Sequence, residues 1–247
     1  MNIVGVIPAR YGSTRLPGKS LVNLCGKPLV QWVFERARAA TRLSRLVVAT
    51  DDERIRRAVT AFGGEAVMTR EDHPSGTDRI AEAVAGLEAN AVINIQGDEP
   101  LIDPALIDRL AGELASGGRW DMVTAVCPIR DPGDITNPAV VKAVWAADGA
   151  ALYFSRSPIP FVRDAEPPPG LTYWRHIGIY GYTGEFLTKL VSAPPCLLER
   201  AEKLEQLRAL DLGGRIKIVP THEVGLGVDT PEDVPKAEAA LRKAGLA

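Results

Sequence analysis

Ile3-Val4-Gly5-Val6-Ile7-Pro8-Ala9-Arg10-Tyr11-Gly12-Ser13-Thr14-Arg15-Leu16-Pro17-Gly18-Lys19 decides how the rest of this chain is read. Ile3 to Ile7 is a short, unbroken apolar run, the pattern of a strand buried on both faces, as in a parallel sheet. Pro8 has no N–H to donate and is expected to close the strand. The residues from Ala9 to Lys19 look like neither strand nor helix, and they carry three cations, Arg10, Arg15 and Lys19, with glycines at 12 and 18. Glycine lets backbone N–H groups come close to an anion, and the cations neutralise it. A loop at the carboxyl end of a first strand is where open α/β sheets bind ligands. The stretch therefore reads as a cradle for a triphosphate, against the plainer alternative of a basic surface loop. It is not a Walker P-loop: five residues separate Gly12 from Gly18-Lys19-Ser20, where that motif has four. The lysine of that motif also opens a helix directly, whereas here Pro28 marks a helix start some nine residues later.

The chain has 247 residues, enough for one large α/β domain or two small ones. Its formal net charge of -2 gives no global pull toward nucleic acid or membrane, so local cations must carry any anion binding. Cys25, Cys127 and Cys196 are far apart, show no zinc spacing and no disulfide framework, and fit a reducing cytoplasm. No apolar run approaches the ~18 residues of a membrane span, and the start of the chain lacks the pattern of a signal peptide. The expectation is a cytoplasmic protein with neither nucleic-acid nor membrane partners.

Pro28 suits the first position of a helix, with Leu29, Val33, Ala37 and Ala40 at helical spacing. Arg45 to Thr50 reads as a second strand, Asp51-Asp52-Glu53 as an acidic helix start, Gly63-Gly64 as its stop, and Glu65 to Met68 as a third strand. The order β-α-β-α-β belongs to a parallel, doubly wound sheet. Ser75 or Thr77 can cap the next helix, which faces Ile80, Ala83, Val84 and Leu87 inward; Arg79, a cation in its first turn, is left unexplained. Ala91 to Ile95 is a fourth strand running into Gln96-Gly97-Asp98-Glu99-Pro100. Asp98, just past a strand end behind a glycine, is placed either to hold a divalent cation or to serve as a turn or cap acid.

Beyond it, strands are expected at Asp121 to Ile129, Ala139 to Ala146 and Ala151 to Ser155, with antiparallel pairing, and an exposed loop at Glu166 to Gly170. His176 to Tyr182 reads as a strand on which His176 and Tyr180 share a face. From Cys196 the chain reads as helical, with Leu197, Ala201, Leu204 and Leu207 as a core stripe. Glu199, Glu202 and Lys203 read as solvated, and Glu205 and Gln206, on periodicity alone, as ordinary surface residues. Arg215 to Val219 is a late strand. Asp229 or Thr230 can cap the last helix, with Pro231 at its first position.

Five ordered blocks of this chain resemble the sugar-activating cytidylyltransferases, most closely the 3-deoxy-manno-octulosonate (Kdo) cytidylyltransferases. The blocks are residues 7–19, the Ser75-Gly76-Thr77-x-Arg79 run, Gln96 to Pro100, His176 to Tyr182 with Glu202 to Arg208, and Val228 to Asp233. The resemblance implies an α/β, Rossmann-like nucleotide-diphospho-sugar transferase fold. Its sheet is mixed and mostly parallel, with helices on both faces and a small antiparallel excursion. The domain spans 1–247, with a sugar-acid and dimer-forming lobe at about 130–212. It implies transfer of CMP from CTP to Kdo with release of pyrophosphate, feeding lipopolysaccharide biosynthesis, by a homodimer. Pro8, Ala9, Arg10, Gly12, Ser13, Arg15, Lys19, Ser75 and Gly76 are then nucleotide-binding. Arg79, Gln96, His176, Tyr180, Glu205 and Gln206 bind the sugar acid, and Asp98 and Asp229 hold Mg²⁺. Arg15, Lys19, Asp98 and Asp229 are the catalytic set. A cytidylyltransferase for another acidic sugar, such as a sialic acid or 8-amino-Kdo, and a non-catalytic nucleotide-binding protein are the alternatives.

Overall fold

In the computed structural model, which describes every residue except Thr14, Gly118, Ala165, Glu223 and Val224, the opening run is a strand, β1 (Ile3–Ala9). Thr14 of the basic loop and Val224 of the run before Asp229 thus lie outside the described residues. A single 3-10 turn (Lys19–Leu21) and a hairpin, β2 (Asn23–Leu24) with β3 (Lys27–Pro28), follow where the sequence shows no periodicity. The next elements are α1 (Leu29–Arg38), β4 (Arg45–Thr50), α2 (Glu53–Ala61), β5 (Glu65–Met68), α3 (Gly76–Val84), β6 (Ala91–Asn94) and α4 (Pro104–Ala115). Pro28 is the residue before α1 and not its first turn.

The chain divides into two compact units, Met1–Gly112 with Gly225–Ala247, and Glu113–Val224. In the first, β1 pairs in parallel with β6 on one side and β4 on the other, and β4 pairs in parallel with β5. Val6, Ile7, Val47, Val48 and Ile93 are wholly buried, as are Leu29 and Val33 of α1 and Ile55 and Val59 of α2. Burial of these strands on both faces explains their unbroken apolar runs. The Asp52 carboxylate caps α2 by accepting the Arg54 N–H at 2.8 Å, and Gly63 and Gly64 end it by donating back to Thr60 and Val59.

Pro8 does not close β1. Pairing continues through Pro8 and Ala9, opposite Ala49 and Thr50. Ladder groups alternate sides along a strand, and Val6 accepts the Ile95 N–H on the β6 side. Two residues on, the nitrogen of Pro8 turns to that same side, beyond the last register pair, Val6 with Asn94. No donor is needed there, so proline is tolerated.

The second unit is built on β7 (Met122–Pro128), followed by the one-turn α5 (Gly133–Thr136), β8 (Lys142–Trp145), β9 (Ala151–Ser155), β10 (Trp174–Thr183), α6 (Gly184–Ser192), α7 (Leu197–Glu202), α8 (Gln206–Asp211) and β11 (Ile216–Pro220). β11 lies parallel to β7, while β10 pairs antiparallel with β7 and β8, and β8 with β9. α6, capped by the Thr183 hydroxyl and buried through Phe186, Leu187 and Leu190, is absent from the sequence reading. The expected continuous helix after Cys196 is interrupted: Lys203 takes φ 54° and separates α7 from α8. The break resets the helical phase, so Leu197 and Ala201 are exposed while Leu204 and Leu207 are buried. Glu199 and Glu202 are not solvated either. Glu199 pairs with Arg208 at 2.8 Å, and Glu202 accepts from the Ser155 hydroxyl and the Arg156 N–H.

The last helix, α9 (Asp233–Lys243), belongs to the first unit and starts later than expected. Neither Asp229 nor Thr230 caps it. The Asp233 carboxylate instead accepts the N–H groups of Asp229 and Thr230 at 3.2 and 3.0 Å, which leaves the Asp229 side chain for other work.

Gly97 ties β6 to β1. A Cβ there would stand 2.7 Å from the Pro8 carbonyl oxygen, a backbone atom that moves only with its strand. Gly97→Ala is expected to lose about 1–3 kcal/mol in urea unfolding. Gly86→Ala meets nothing within 4 Å and should shift stability by less than about 1 kcal/mol.

Candidate active site

In the first unit the carboxyl ends of β1 and β6 open into a cleft of about 310 Å³. Pro8, Ala9, Arg10, Ser13, Arg15 and Lys19 line it from the basic loop, His73 to Gly76 and Arg79 from the start of α3, and Gln96, Gly97 and Asp98 from the end of β6; Asp229 completes the wall. The fold therefore gathers the predicted nucleotide, metal and catalytic residues. Gly12 alone of that set is not among the described lining residues.

The loop keeps its shape by local bonds. The Tyr11 carbonyl accepts from Ser13 and Gly18 at 2.9 and 3.1 Å, and Gly18 takes φ 67°, which an L side chain rarely adopts. The Arg54 guanidinium lies 3.3 Å over the Tyr11 ring. Across the cleft, the Ser75 hydroxyl accepts the Asp78 N–H at 3.2 Å and donates to the Asp78 carboxylate at 2.6 Å, so the amino end of α3 opens at the cleft wall. A helix amino terminus favours a phosphate.

The centre of the cleft is ionic. Lys19 Nζ lies 2.7 Å from Asp98 Oδ2 and 3.0 Å from Asp229 Oδ1, and Arg15 Nη2 reaches the same Asp229 oxygen at 3.1 Å. The two aspartates are far apart in sequence and are joined by backbone: the Val228 N–H donates to the Asp98 carbonyl at 2.9 Å. Burial pulls the pKa of Lys19 down, but attraction to Asp98 and then Asp229 outweighs it, and the net shift is upward. Two carboxylates that converge on one positive charge are a donor set that fits a hard divalent cation, with water and phosphate as further ligands. No group of three or more His, Cys, Asp or Glu among the described residues is arranged to hold a metal.

Arg79 finds its structural explanation here. Its guanidinium is buried, 2.5 Å from Asp51 Oδ2 and 2.6 Å from Thr69 Oγ1. Beside it the buried His73 ring bonds to Glu82, which also accepts the Arg70 N–H at 3.2 Å. Asp51 enters the sequence reading only as part of an acidic helix start, and His73 and Glu82 carry no role there. Only the His73-to-Arg79 run flagged the region, and nothing in the spacing tied it to Asp51 or Glu82.

In the second unit His176, Tyr180 and Gln206 come together. The His176 and Tyr180 ring centroids are 5.4 Å apart, and His176 meets Phe154 edge-on at 5.1 Å. The Thr124 hydroxyl donates to the Ile179 carbonyl at 2.8 Å, so it accepts from His176 Nε2 at 2.9 Å, which assigns the Nε2–H tautomer. Part of the residue keeps some exposure, but burial of the imidazole pushes its pKa down to about 3. Burial, and then Glu205, drive the Tyr180 pKa upward, so its phenol stays protonated and donates to Gln206 Oε1 at 3.3 Å. Gln206 is buried, and its Nε2 has no partner among the described residues, an arrangement native interiors avoid unless a ligand or water supplies the acceptor. The break at Lys203 turns Gln206 inward, which periodicity alone could not show.

Held neutral in the fold, His176 binds fewer protons than it does unfolded, where its pKa is ~6.5. Its contribution to stability is therefore complete above pH ~6.5 and is lost as pH falls toward 3. His176→Gln is expected to lose less stability on acidification across that window than the wild type. Parallel urea-unfolding profiles against pH for the two proteins would contradict it.

A parallel α/β unit with a basic, glycine-containing loop facing paired aspartates defines a nucleotidyltransferase. The cytidylyltransferase family profile matches residues 4–217. The chain is 48% identical to a 3-deoxy-manno-octulosonate cytidylyltransferase of Geobacter sulfurreducens, over 98% of this chain and 100% of that protein. It is 52% identical to one of Pseudomonas fluorescens, over 96% of each. A solved structure of CMP:2-keto-3-deoxy-manno-octonic acid synthetase complexed with CTP superposes with a TM-score of 0.94 at 43% identity, covering 99% of this chain and all of that one. A cytidylyltransferase from Leptospira borgpetersenii, 21% identical with a TM-score of 0.65, shares the fold. The chain belongs to the 3-deoxy-manno-octulosonate cytidylyltransferase family.

Proposed function

We propose that the chain activates Kdo with CTP and that the first unit's cleft holds the nucleotide, its triphosphate against Arg15 and Lys19. The product is CMP-Kdo: the anomeric hydroxyl of Kdo attacks the α-phosphorus in line, and pyrophosphate leaves. The observation that carries this reading is the convergence of Lys19 and Arg15 on Asp98 and Asp229 in one cleft, between the basic loop and the amino end of α3.

Phosphoryl-group transfer of this kind rests on positioning and charge neutralisation. Arg15 and Lys19 neutralise the β- and γ-phosphates and the departing pyrophosphate, Arg10 stands nearer the nucleoside, and Ser75 and Gly76 offer the helix terminus. Asp98 and Asp229 would hold Mg²⁺, whose chemistry is to polarise the phosphate oxygens and favour the ionised attacking hydroxyl. For the sugar acid, the first unit offers Gln96 and Arg79, the latter held at the cleft wall by Asp51. The second unit offers His176, Tyr180, Glu205 and Gln206, with a neutral imidazole, a protonated phenol and an amide nitrogen without a partner among the described residues, groups suited to hydroxyls. Exposed Leu152, Phe161, Leu197 and Leu198 in that unit support a homodimer. Free cysteines fit the cytoplasm, and no helix among the described residues is long and apolar enough to cross a membrane.

A pyrophosphate-release assay crossing the four ribonucleoside triphosphates with Kdo, 8-amino-Kdo and a sialic acid tests the reading. CTP with Kdo should give the highest kcat/KM, and a faster competing pair would replace it. Because Asp233 and not Asp229 serves α9, Asp229→Asn is expected to keep its melting temperature while turnover falls ~100-fold or more. An active, stable variant with unchanged Mg²⁺ dependence would remove Asp229 from the site.

A further inference from the structure

We propose that Lys19 is also a positioning residue for the two aspartates: without nucleotide its ammonium occupies the place between Asp98 and Asp229 that the divalent cation takes, so the metal enters with CTP and not before it. This rests on the reading of Asp98 and Asp229 as metal ligands.

The geometry singles out Lys19 for this role. Its Nζ is within hydrogen-bond distance of both carboxylates, while Arg15 reaches only Asp229 and is two-thirds exposed. The lysine side chain is largely enclosed, with 20% of its surface exposed, so water screens the contact poorly. The carboxylates are carried on backbone that is already fixed. Val228 donates to the Asp98 carbonyl, and Asp233 accepts the Asp229 N–H. What can exchange is the cation between them. Without one, two like charges would face each other in a half-buried site, at a cost each carboxylate would relieve by turning away or taking up a proton.

An ammonium and a divalent cation that need the same two oxygens exclude each other. A triphosphate changes the balance, because it offers Lys19 a polyanion in the same cleft and brings the metal its remaining oxygen ligands. Lys19 would then serve the aspartates before binding and the phosphates afterwards.

The test uses the full chain without nucleotide, titrated with Mg²⁺ alone by calorimetry and by thermal unfolding. Wild type should bind Mg²⁺ weakly, with a melting temperature insensitive to EDTA. Lys19→Met, which removes the charge at similar volume, should bind Mg²⁺ at least tenfold tighter, and Mg²⁺ should raise its melting temperature. Lys19→Gln, whose amide can still donate to one carboxylate, should gain less, and it stands in if Lys19→Met does not fold. Equal Mg²⁺ affinity in wild type and both variants overturns the placeholder role. Adding Asp229→Asn to Lys19→Met should abolish the gain. If the gain persists, the metal does not use Asp229, and the underlying metal reading fails. If wild type with CTP recruits Mg²⁺ through Asp229 but Lys19→Met gains nothing without CTP, the two-aspartate site stands and the placeholder falls.

Discussion

One ammonium between two carboxylates governs the first unit. Lys19 reaches Asp98 at the end of β6 and Asp229 ahead of α9, two points of the chain that only folding brings together. Each neighbouring feature serves that meeting. Gly97 lets the end of β6 lie against Pro8, Val228 ties the Asp229 segment to Asp98, and Asp233 takes over the helix start so that Asp229 faces the cleft. Opposite charges brought together where water is scarce attract strongly and are costly to leave unmatched. Here the Lys19 ammonium supplies the match for both carboxylates.

In the second unit burial does the work that charge does in the first. His176 and Tyr180 sit where their charged forms are disfavoured, so both stay neutral across physiological pH. The Tyr180 phenol donates to Gln206 Oε1, and Gln206 Nε2 is a buried donor with no partner among the described residues. The Lys203 backbone, forced to φ 54°, is what aims Gln206 inward. Arg156 braces that turn, donating to the carbonyls of Glu202 and Lys203.

Much of the architecture is legible in local patterns. The strands Arg45–Thr50, Glu65–Met68 and Ala151–Ser155 stand where the sequence puts them; of the three, Arg45–Thr50 has four consecutive buried residues, Val47 to Thr50, and so leaves the clearest apolar trace. Asp52, Ser75 and Gly63-Gly64 announce helix ends, since capping chemistry is local. The misread places are those where local pattern competes with a distant partner. Pro8 continues a strand because its nitrogen faces a side where β6 has ended. Glu199 and Glu202 look solvated until Arg208, Ser155 and Arg156 arrive from elsewhere in the chain. Asp229 reads as a cap because the later start of α9, at Asp233 and not Pro231, depends on Asp233 bonding backward.

The sequence by itself determined the class of fold, the basic loop after β1 and the residue types of the site, because periodicity, turn chemistry and motif spacing are properties of neighbouring residues. By resemblance it also implied roles for Asp98, Asp229 and Gln206. Only the tertiary structure decided that Lys19 bridges the two aspartates, that Arg79 is balanced by Asp51, that His73 pairs with Glu82, and that Gln206 is buried with its Nε2 lacking a partner among the described residues. Coulomb attraction and desolvation act through space, and no spacing along the chain encodes which charges will meet or which groups will lose their water.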